Sequence, residues 1–510
     1  MAPNPDLPRS AAGNNSPWLL AVVVSIATFM EVLDTTIANV ALRHIAGALA
    51  TSEDESTYIL TSYLVSNAII LPISGWLSNV IGRKRFYMIC VLLFTLSSVA
   101  CAFATSLPMM LLFRVIQGMG GGGLAPTEQS IFADSFTPRQ RALAFALYGV
   151  TVVTAPAVGP VLGGFLTDNF SWHWVFLINL PVGMLSLLLT WRFVHDSPLV
   201  KAERAALLAN GLRIDYLGFA LVVLGFGSLQ IVLDRFERLD GFSSPTIQIL
   251  SAITVVSLIT LVIWELIEKQ PVMDLRLLKS APFAISTIVM FLFGFIIVST
   301  TQLLPQLTQE LLGYDALTAG MTLGLGGLGS LCVMPIAGIL TGRVFQPRYL
   351  MFAALLGVAW SMYRATGLNL DATFDMISGL RMSQVVCLPF VFIPLSAVQF
   401  IGVPPGKNPD ASALINLMRN LGGSFGVSVV TTELQWRGQF HHARLAEGIT
   451  PYNGWGYGSN LGAIARELTR QASMLSYIDV FLILAVVSLI TAPLALLLPR
   501  VAKGAAVGAH

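Results

Sequence analysis

At 510 residues, with 55% of them hydrophobic, only 11% charged and a mean hydropathy of +0.75, the chain is too apolar to be a large soluble protein. The alternating pattern of a membrane β-barrel is absent, so the expectation is an all-α integral membrane protein. A formal net charge of +2 gives no sign of a nucleic-acid partner, and none is expected.

Fourteen mainly apolar stretches are each about long enough to cross a ~30 Å hydrocarbon layer as a helix. They fall at 18-42, 57-80, 86-105, 108-131, 141-166, 173-194, 215-233, 246-267, 282-305, 316-341, 349-368, 374-402, 410-434 and 475-498. The opening MAPNPDLPRSAAGNNSPW is polar and Pro-rich and lacks the pattern of a cleaved signal peptide, so the first span is expected to stay in the protein. Cys90, Cys101, Cys332 and Cys387 all lie inside spans and read as small buried apolar residues, not as a disulfide or metal framework. Taking the loops alternately, 18 Lys and Arg fall on the side of the N-terminus and 7 on the other, which predicts that both termini are cytoplasmic. The 435-474 segment, with QFHHARLAEGITPYNGWGYGSN, is then a long extracytoplasmic loop, polar and Gly-rich at its middle, with room for short helices on either side.

In the first span, MEVLDTTIANVAL places Glu31 and Asp34 in an apolar run. An ionised side chain at bilayer depth costs roughly 3 kcal/mol or more, so an intramembrane acid marks function by default, the bland reading being solvation at the membrane edge. The hairpin after the second span reads Gly75-Trp-Leu-Ser-Asn79-Val-Ile-Gly82-Arg83-Lys84-Arg85, a tight basic turn in which Gly75 permits close helix approach and Gly82 the turn itself. In the fourth span, RVIQGMGGGGLAPTEQ carries Arg114, Gln117 and Glu128, the last about 20 residues in and so expected near the cytoplasmic boundary, where solvation accounts for it. The fifth holds Pro156, Gly159, Pro160, Gly163 and Gly164, a kinked, thin helix suited to packing and flexing. Two G-x-G-x-x-G matches, at Gly118 and Gly324, neither follow a strand nor open a βαβ unit, so a dinucleotide site is rejected. The adjacent His441 and His442 lack further ligands at metal spacing, and no metal is expected. The six histidines read as loop or terminal residues. With no nucleophile motif or P-loop either, the chain does not read as an enzyme, and its energy must come from a gradient.

The chain also repeats itself. GWLSNVIGRKRFYM resembles GILTGRVFQPRYLM at an offset of 263, Arg114-x-x-Gln117 recurs as Arg381-x-x-Gln384 at 267, and Gly159 and Gly163 match Gly422 and Gly426 at 263. Six spans, two inserted spans and six more spans follow, predicting two six-helix bundles across a central cavity. By helical rise, Asp34 lies roughly 24 Å above the start of its span and Arg114 roughly 10 Å below the opposite edge, so both reach the outer half of the bilayer and can face each other. The position matching Asp34 in the second half is Ser299, beside Gln302, so the acid is not duplicated. Asn416 and Arg419 form a third polar cluster, with a purely structural interhelical bond as the alternative.

These motifs resemble those of the major facilitator superfamily. The hairpin is similar to its G-x-L-(A/S)-D-x-x-G-R-(K/R)-(K/R) signature, with Asn79 where the family usually has Asp, so an amide can offer only hydrogen bonds to a cytoplasmic latch. The Arg114 segment resembles the R-x-x-Q-G motif, whose Arg is linked to proton coupling, and the fifth span resembles the G-x-x-x-G-P-x-x-G-G antiporter motif, with Ala155 in place of its first Gly. LDTTIANVAL, WHWVFLINLPVG, LQIVLDRFERLDGFSS, PVMDLRLL and LINLMRNLGGSFGVS extend the resemblance, over residues 17 to 500, to the fourteen-helix drug:proton antiporters of the EmrB/QacA type. The segment with Gln439, His441, His442 and Leu445 is most similar to the EmrB-type branch.

The resemblance implies a multi-pass inner-membrane exporter of amphipathic or hydrophobic drug-like compounds, driven by the proton gradient, with no cofactor. A periplasmic adaptor and outer-membrane channel are implied partners. The expected organisation is a tail at 1-16, an N-terminal bundle at 17-194, a linker with two spans at 195-280, a C-terminal bundle at 281-500 and a tail at 501-510. Asp34, Arg114 and Glu31 are expected to couple protons, and Gln117, Glu128, Gln302, Arg381, Gln384, Asn416 and Arg419 to line the cavity. Gly75, Asn79, Gly82, Arg83, Pro156, Gly159, Pro160, Gly163 and Gly164 are the expected conformational motifs. A narrow exporter or proton symporter of a metabolite such as a siderophore or fatty acid shares these features, and a non-transporting sensor is the remaining alternative.

Overall fold

The computed structural model describes residues 17–196, 198–209, 214–341, 344–404, 406–449 and 461–500. The two expected tails, Arg9, Arg213, Arg343 and Lys503 of the cation count, His510 and the Gly-rich centre of the 435-474 segment lie outside these residues.

The first half consists of α1 (Pro17–Ala48), α2 (Glu53–Ser56), α3 (Tyr58–Ile81), α4 (Arg83–Ala102), α5 (Leu107–Gly121), α6 (Leu124–Ser135), α7 (Pro138–Asn169), α8 (His173–Leu177) and α9 (Asn179–Phe193). The linker supplies α10 (Pro198–Ala209) and the inserted pair α11 (Tyr216–Arg235) and α12 (Pro245–Ile267). The second half consists of α13 (Ala281–Gln306), α14 (Ala316–Leu340), α15 (Pro347–Ala365), α16 (Phe374–Cys387), α17 (Pro389–Val398), α18 (Asn408–Glu447) and α19 (Leu461–Leu496).

Local chemistry sets the boundaries. Gly82, at φ +97°, ends α3 and turns the chain into α4, a backbone state that costs an L side chain about 1 kcal/mol or more. Glycines 120–123 separate α5 from α6, and Pro389 separates α16 from α17, so each half breaks its helix shortly after Arg-x-x-Gln. In α7 the segments Gln140–Pro156 and Val158–Asn169 meet at 40°, beside Pro156 and Pro160.

Among the described residues ten helices are long and apolar enough to cross a membrane, or eleven with the bent α7. The expected spans 108-131, 349-368 and 410-434 correspond to α5 with α6, α15 and α18, which fall outside that set. The first is cut by its glycines, α15 carries Arg348 and Arg364, and α18 carries Asp410, Asn416, Arg419 and Asn420. Length and apolarity therefore establish fewer crossings than the fourteen expected.

Three expectations are corrected. The helices on either side of the 435-474 segment are not short separate ones: α18 runs unbroken to Glu447 and α19 begins at Leu461, because helix-favouring residues such as Gln, Arg, Ala, Leu and Glu carry both helices onward. His44, His173, His441 and His442 sit in helices, in α1, α8 and α18, and not in loops. Cys332 is exposed on α14 and not buried.

Small residues let the helices approach. In α5, Gly118 lies against Ser66 and the Tyr63 carbonyl of α3, and Gly120 against the Cys90 and Phe94 backbone of α4. Gly159 and Gly163 of α7 lie on Thr36 and Ile37 of α1, and Gly422 and Gly426 of α18 lie on the Phe291 and Phe295 carbonyls of α13. The two repeat-related glycine pairs thus make the equivalent contact in each half. The halves meet where α7 packs along α14 and where α18 packs on α3 and α6, while α11 bridges α3 and α18.

Gly164, by contrast, faces open space. Gly422→Ala should overpack the α13–α18 contact and destabilise the protein by about 1–3 kcal/mol, lowering its unfolding temperature in detergent. Gly164→Ala, the same change without a neighbour, should stay within about 0.5 kcal/mol of the parent.

Candidate functional site

The apolar run of α1 carries Asp34 into a fully enclosed polar nest. Asp34 is 1% exposed, and its Oδ2 accepts from Arg114 Nη1 at 2.7 Å. Its Oδ1 accepts from Gln117 Nε2 at 3.0 Å and from Asn179 Nδ2 at 2.6 Å. Arg114, wholly buried on α5, also donates to Gln117 Oε1 at 2.8 Å and to the Ile59 carbonyl at 3.3 Å. Its guanidinium lies 5.0 Å from the Tyr63 ring centre and 5.3 Å from that of Phe176, while Nη2 has no hydrogen-bond partner. The carboxylate therefore has one cation and two amides to itself. Removing either charge of the pair strands the other in a dry site.

One turn earlier, Glu31 accepts from Tyr63 Oη at 2.9 Å and from Asn67 Nδ2 at 3.5 Å. It is half-buried and forms no direct ion pair among the described residues, although Arg419 is near enough to act on its charge. Glu128 corrects an expectation: it is 0% exposed, not solvated at an edge. The break at Gly122 and Gly123 tucks α6 inward, and Glu128 accepts from Ser25 Oγ at 2.6 Å and from Thr28 Oγ1 of α1.

Beside these acids the two halves are joined by polar contacts. Gln129 and Asn416 exchange two hydrogen bonds, at 3.2 and 2.9 Å. Arg419 donates to Tyr148 Oη at 2.8 Å and Asn420 to Asn67 Oδ1 at 3.2 Å. The Asn416–Arg419 cluster is thus an interface between halves.

The second half holds a counterpart without an acid. Arg381 donates to Gln384 Oε1 at 2.8 Å, to Thr301 Oγ1 at 3.0 Å and to Thr300 Oγ1 at 3.4 Å, and Gln384 donates to Thr300 at 2.8 Å. Among the described residues no carboxylate pairs with Arg381, and its Nε has no partner. The partner position is therefore Thr300, not Ser299, whose hydroxyl lies against Gly426 and is unbonded. The correction is a register effect of one residue: Ser299 projects toward α18 and Thr300 toward α16. Gln302 is exposed and outside this cluster.

At the basic hairpin, a methyl at Gly75 would stand 2.8 Å from Asp410 Cα, so α3 and α18 touch backbone to backbone. Asn79 Nδ2 donates to Asp410 Oδ1 at 3.2 Å. Asp410 in turn pairs with Lys407 Nζ at 3.1 Å, and Lys407 reaches Asp274 at 3.0 Å. Burial pulls the Lys407 ammonium down, but the two carboxylates outweigh it and hold its pKa above the usual value. Arg83 forms an ion pair with Asp134, which also accepts from Asn408 Nδ2 at 2.8 Å. The acid that the hairpin lacks at position 79 is thus supplied from the other half.

Sequence reading missed Asn179, Tyr63, Ser98, Gln129, Tyr148 and Asp410 as members of these clusters. The signal was available in part: an amide or hydroxyl inside an apolar run is as conspicuous as an acid, though its partner is not. A surface cleft of about 590 Å³ lies elsewhere, lined by Glu310, Leu311, Ala465, Arg466, Thr469, Arg470 and Ser473. Among the described residues no group of three or more His, Cys, Asp or Glu could hold a metal ion.

Residues 24–427 match the Major Facilitator Superfamily. The chain is 36% identical over 476 residues to the Multidrug export protein EmrB of Escherichia coli (strain K12), covering 91% of each chain. It is 34% identical over 484 residues to the Fatty acid resistance protein FarB of Neisseria gonorrhoeae, covering 92% of this chain and 94% of that one. The human organic anion transporter MFSD10 (TETRAN) shares the fold, with a TM-score of 0.61 at 17% identity over 93% of this chain and 100% of that one. Helices built to cross a bilayer many times, the family match and these relatives lead to one conclusion: the chain is a multi-pass membrane transporter, not an enzyme, and belongs to the Major Facilitator Superfamily.

Proposed function

We propose that the protein is a proton-driven exporter of amphipathic or hydrophobic drug-like compounds. It would work by alternating access between bundles at 17-194 and 281-500, with the 195-280 linker between them. The observation that carries this reading is the buried Asp34–Arg114 contact at 2.7 Å. Protonating Asp34 cancels its charge and leaves Arg114 enclosed with neutral acceptors and two ring faces, so proton uptake strains the present arrangement and favours another. That is the requirement for coupling. Glu31 and Glu128, near the contacts between halves, are suited to substrate recognition or to a second proton.

The contacts Asn79–Asp410, Gln129–Asn416 and Tyr148–Arg419 tie the halves together on the side of the basic hairpin. In this proposal that side, with both termini, is cytoplasmic, and the membrane is the bacterial inner membrane. A periplasmic adaptor and outer-membrane channel would complete an export path, and no cofactor is needed. The similarity to EmrB supports the multidrug reading. A narrower reading, export of a fatty acid or another amphipathic anion, is favoured by one observation, the buried Arg381 without an acid partner, and is supported by the similarity to FarB.

Asp34→Asn should reduce pH-gradient-driven efflux in proteoliposomes by about tenfold or more, equivalent to at least ~1.4 kcal/mol, while the protein still folds. Full efflux by that variant would remove Asp34 from the coupling role, and the same loss in Glu31→Gln alone would transfer the role to Glu31. Asn79→Asp would set a second carboxylate beside Asp410 in place of the amide donor; labelling of a cysteine introduced on the hairpin side of the cavity should then speed up. Competition by a medium-chain fatty acid that disappears in Arg381→Gln would select the narrower reading.

A further inference from the structure

The inserted helices contain a pair of acids that the coupling proposal does not use. Asp215 caps α11: its Oδ1 accepts from Gly218 N at 2.8 Å and from Trp264 Nε1 at 2.9 Å. Glu265, 0% exposed near the end of α12, accepts through Oε2 from Met273 N at 3.3 Å. The second oxygen of each, Asp215 Oδ2 and Glu265 Oε1, is buried with no hydrogen-bond partner. Both flank one point. A methyl at Gly218 would collide with Asp215 Oδ2 and stand 3.1 Å from Glu265 Oε1, so both oxygens border the space that the absent side chain leaves.

Two buried carboxylates cannot both stay ionised side by side without compensation. The charged residues described around them are engaged elsewhere. Asp274 pairs with Lys407 at 3.0 Å, Glu268 accepts from Lys269 N at 2.8 Å, and Arg276 donates to the Leu266 and Glu268 carbonyls at 3.3 and 2.5 Å. Among the described residues no cation forms an ion pair with Asp215 or Glu265; the near charges are the acids Asp274 and Glu268.

We propose that Asp215 and Glu265 hold one proton between them, forming a protonation site where the ends of α11 and α12 meet, separate from Asp34. Asp215 Oδ1 already accepts from two donors and Asp215 Oδ2 from none, so the shared proton is placed on Glu265 Oε1 and donated to Asp215 Oδ2. A single proton taken from bulk water thereby satisfies both orphaned oxygens. Its release leaves two negative charges bordering that space and loosens the α11–α12 contact, so the inserted pair responds to pH on its own side of the membrane. The inference is independent of the transport direction and of Asp34.

The test uses the full chain in lipid nanodiscs, with infrared spectra of the carboxyl C=O region recorded across neutral pH. The parent should show a protonated-carboxyl band that persists in Asp34→Asn and is lost in Asp215→Asn. In that variant Glu265 is still present, but the Asn amide supplies the donor and Glu265 ionises. Glu265→Gln should also lose the band yet fold, since its amide replaces the shared proton. Because only the folded state shares the proton, the parent's unfolding temperature should fall as pH rises through its release, and that slope should flatten in Glu265→Gln. A band retained in Asp215→Asn, or absent from the parent, overturns the proposal. So does stabilisation of the parent by sodium or potassium ions that Glu265→Gln abolishes, which would assign the pair to a metal cation.

Discussion

An ionised group enclosed by hydrocarbon and protein is costly, and an opposite charge beside it offsets most of that cost. The Asp34–Arg114 contact does this for both charges at once, and much of the first half is arranged to keep it closed. Glycines let α5 sink between α3 and α4, which carries Arg114 to α1; Asn179 reaches across from α9, held by Ser98. None of these partners is free to leave without stranding a charge. Under the coupling role proposed above, such a site would alternate between two discrete arrangements, paired and separated.

The two halves show how one backbone plan supports unequal chemistry. Arg-x-x-Gln occupies the same place in each, the same helix breaks follow it, and the same glycine contacts brace it from α7 onto α1 and from α18 onto α13. The difference is confined to the partner: an acid at Asp34, hydroxyls at Thr300 and Thr301. The first half therefore pairs its buried arginine with an acid, while the second leaves its arginine with hydroxyl and amide acceptors among the described residues.

Much of this was legible in the sequence because it depends on local pattern. Apolar runs gave the helices, the offset of 263 to 267 related the halves, and helical rise alone placed Asp34 and Arg114 at one depth. What was not legible depends on rotation and on partners distant in sequence. Periodicity fixes depth to within a turn but not which face of α13 meets α16, so Ser299 was named in place of Thr300. Glu128 looked peripheral because counting along one straight helix cannot anticipate the inward step after Gly122 and Gly123. The extent of α18 was missed because polarity was taken to end a helix, when it ends only the part that suits lipid.

That helix has a mechanical consequence. From Asp410 at the interlocked hairpin, past Arg419 at the meeting of the halves, to Glu447, α18 is one uninterrupted rod about 60 Å long, gripped by α13 along its glycine face. A rod held near its middle cannot tilt at one tip without swinging the other. Release of Asn79 from Asp410 on one side of the bilayer is then felt as displacement at the opposite surface, with α13 as the fulcrum.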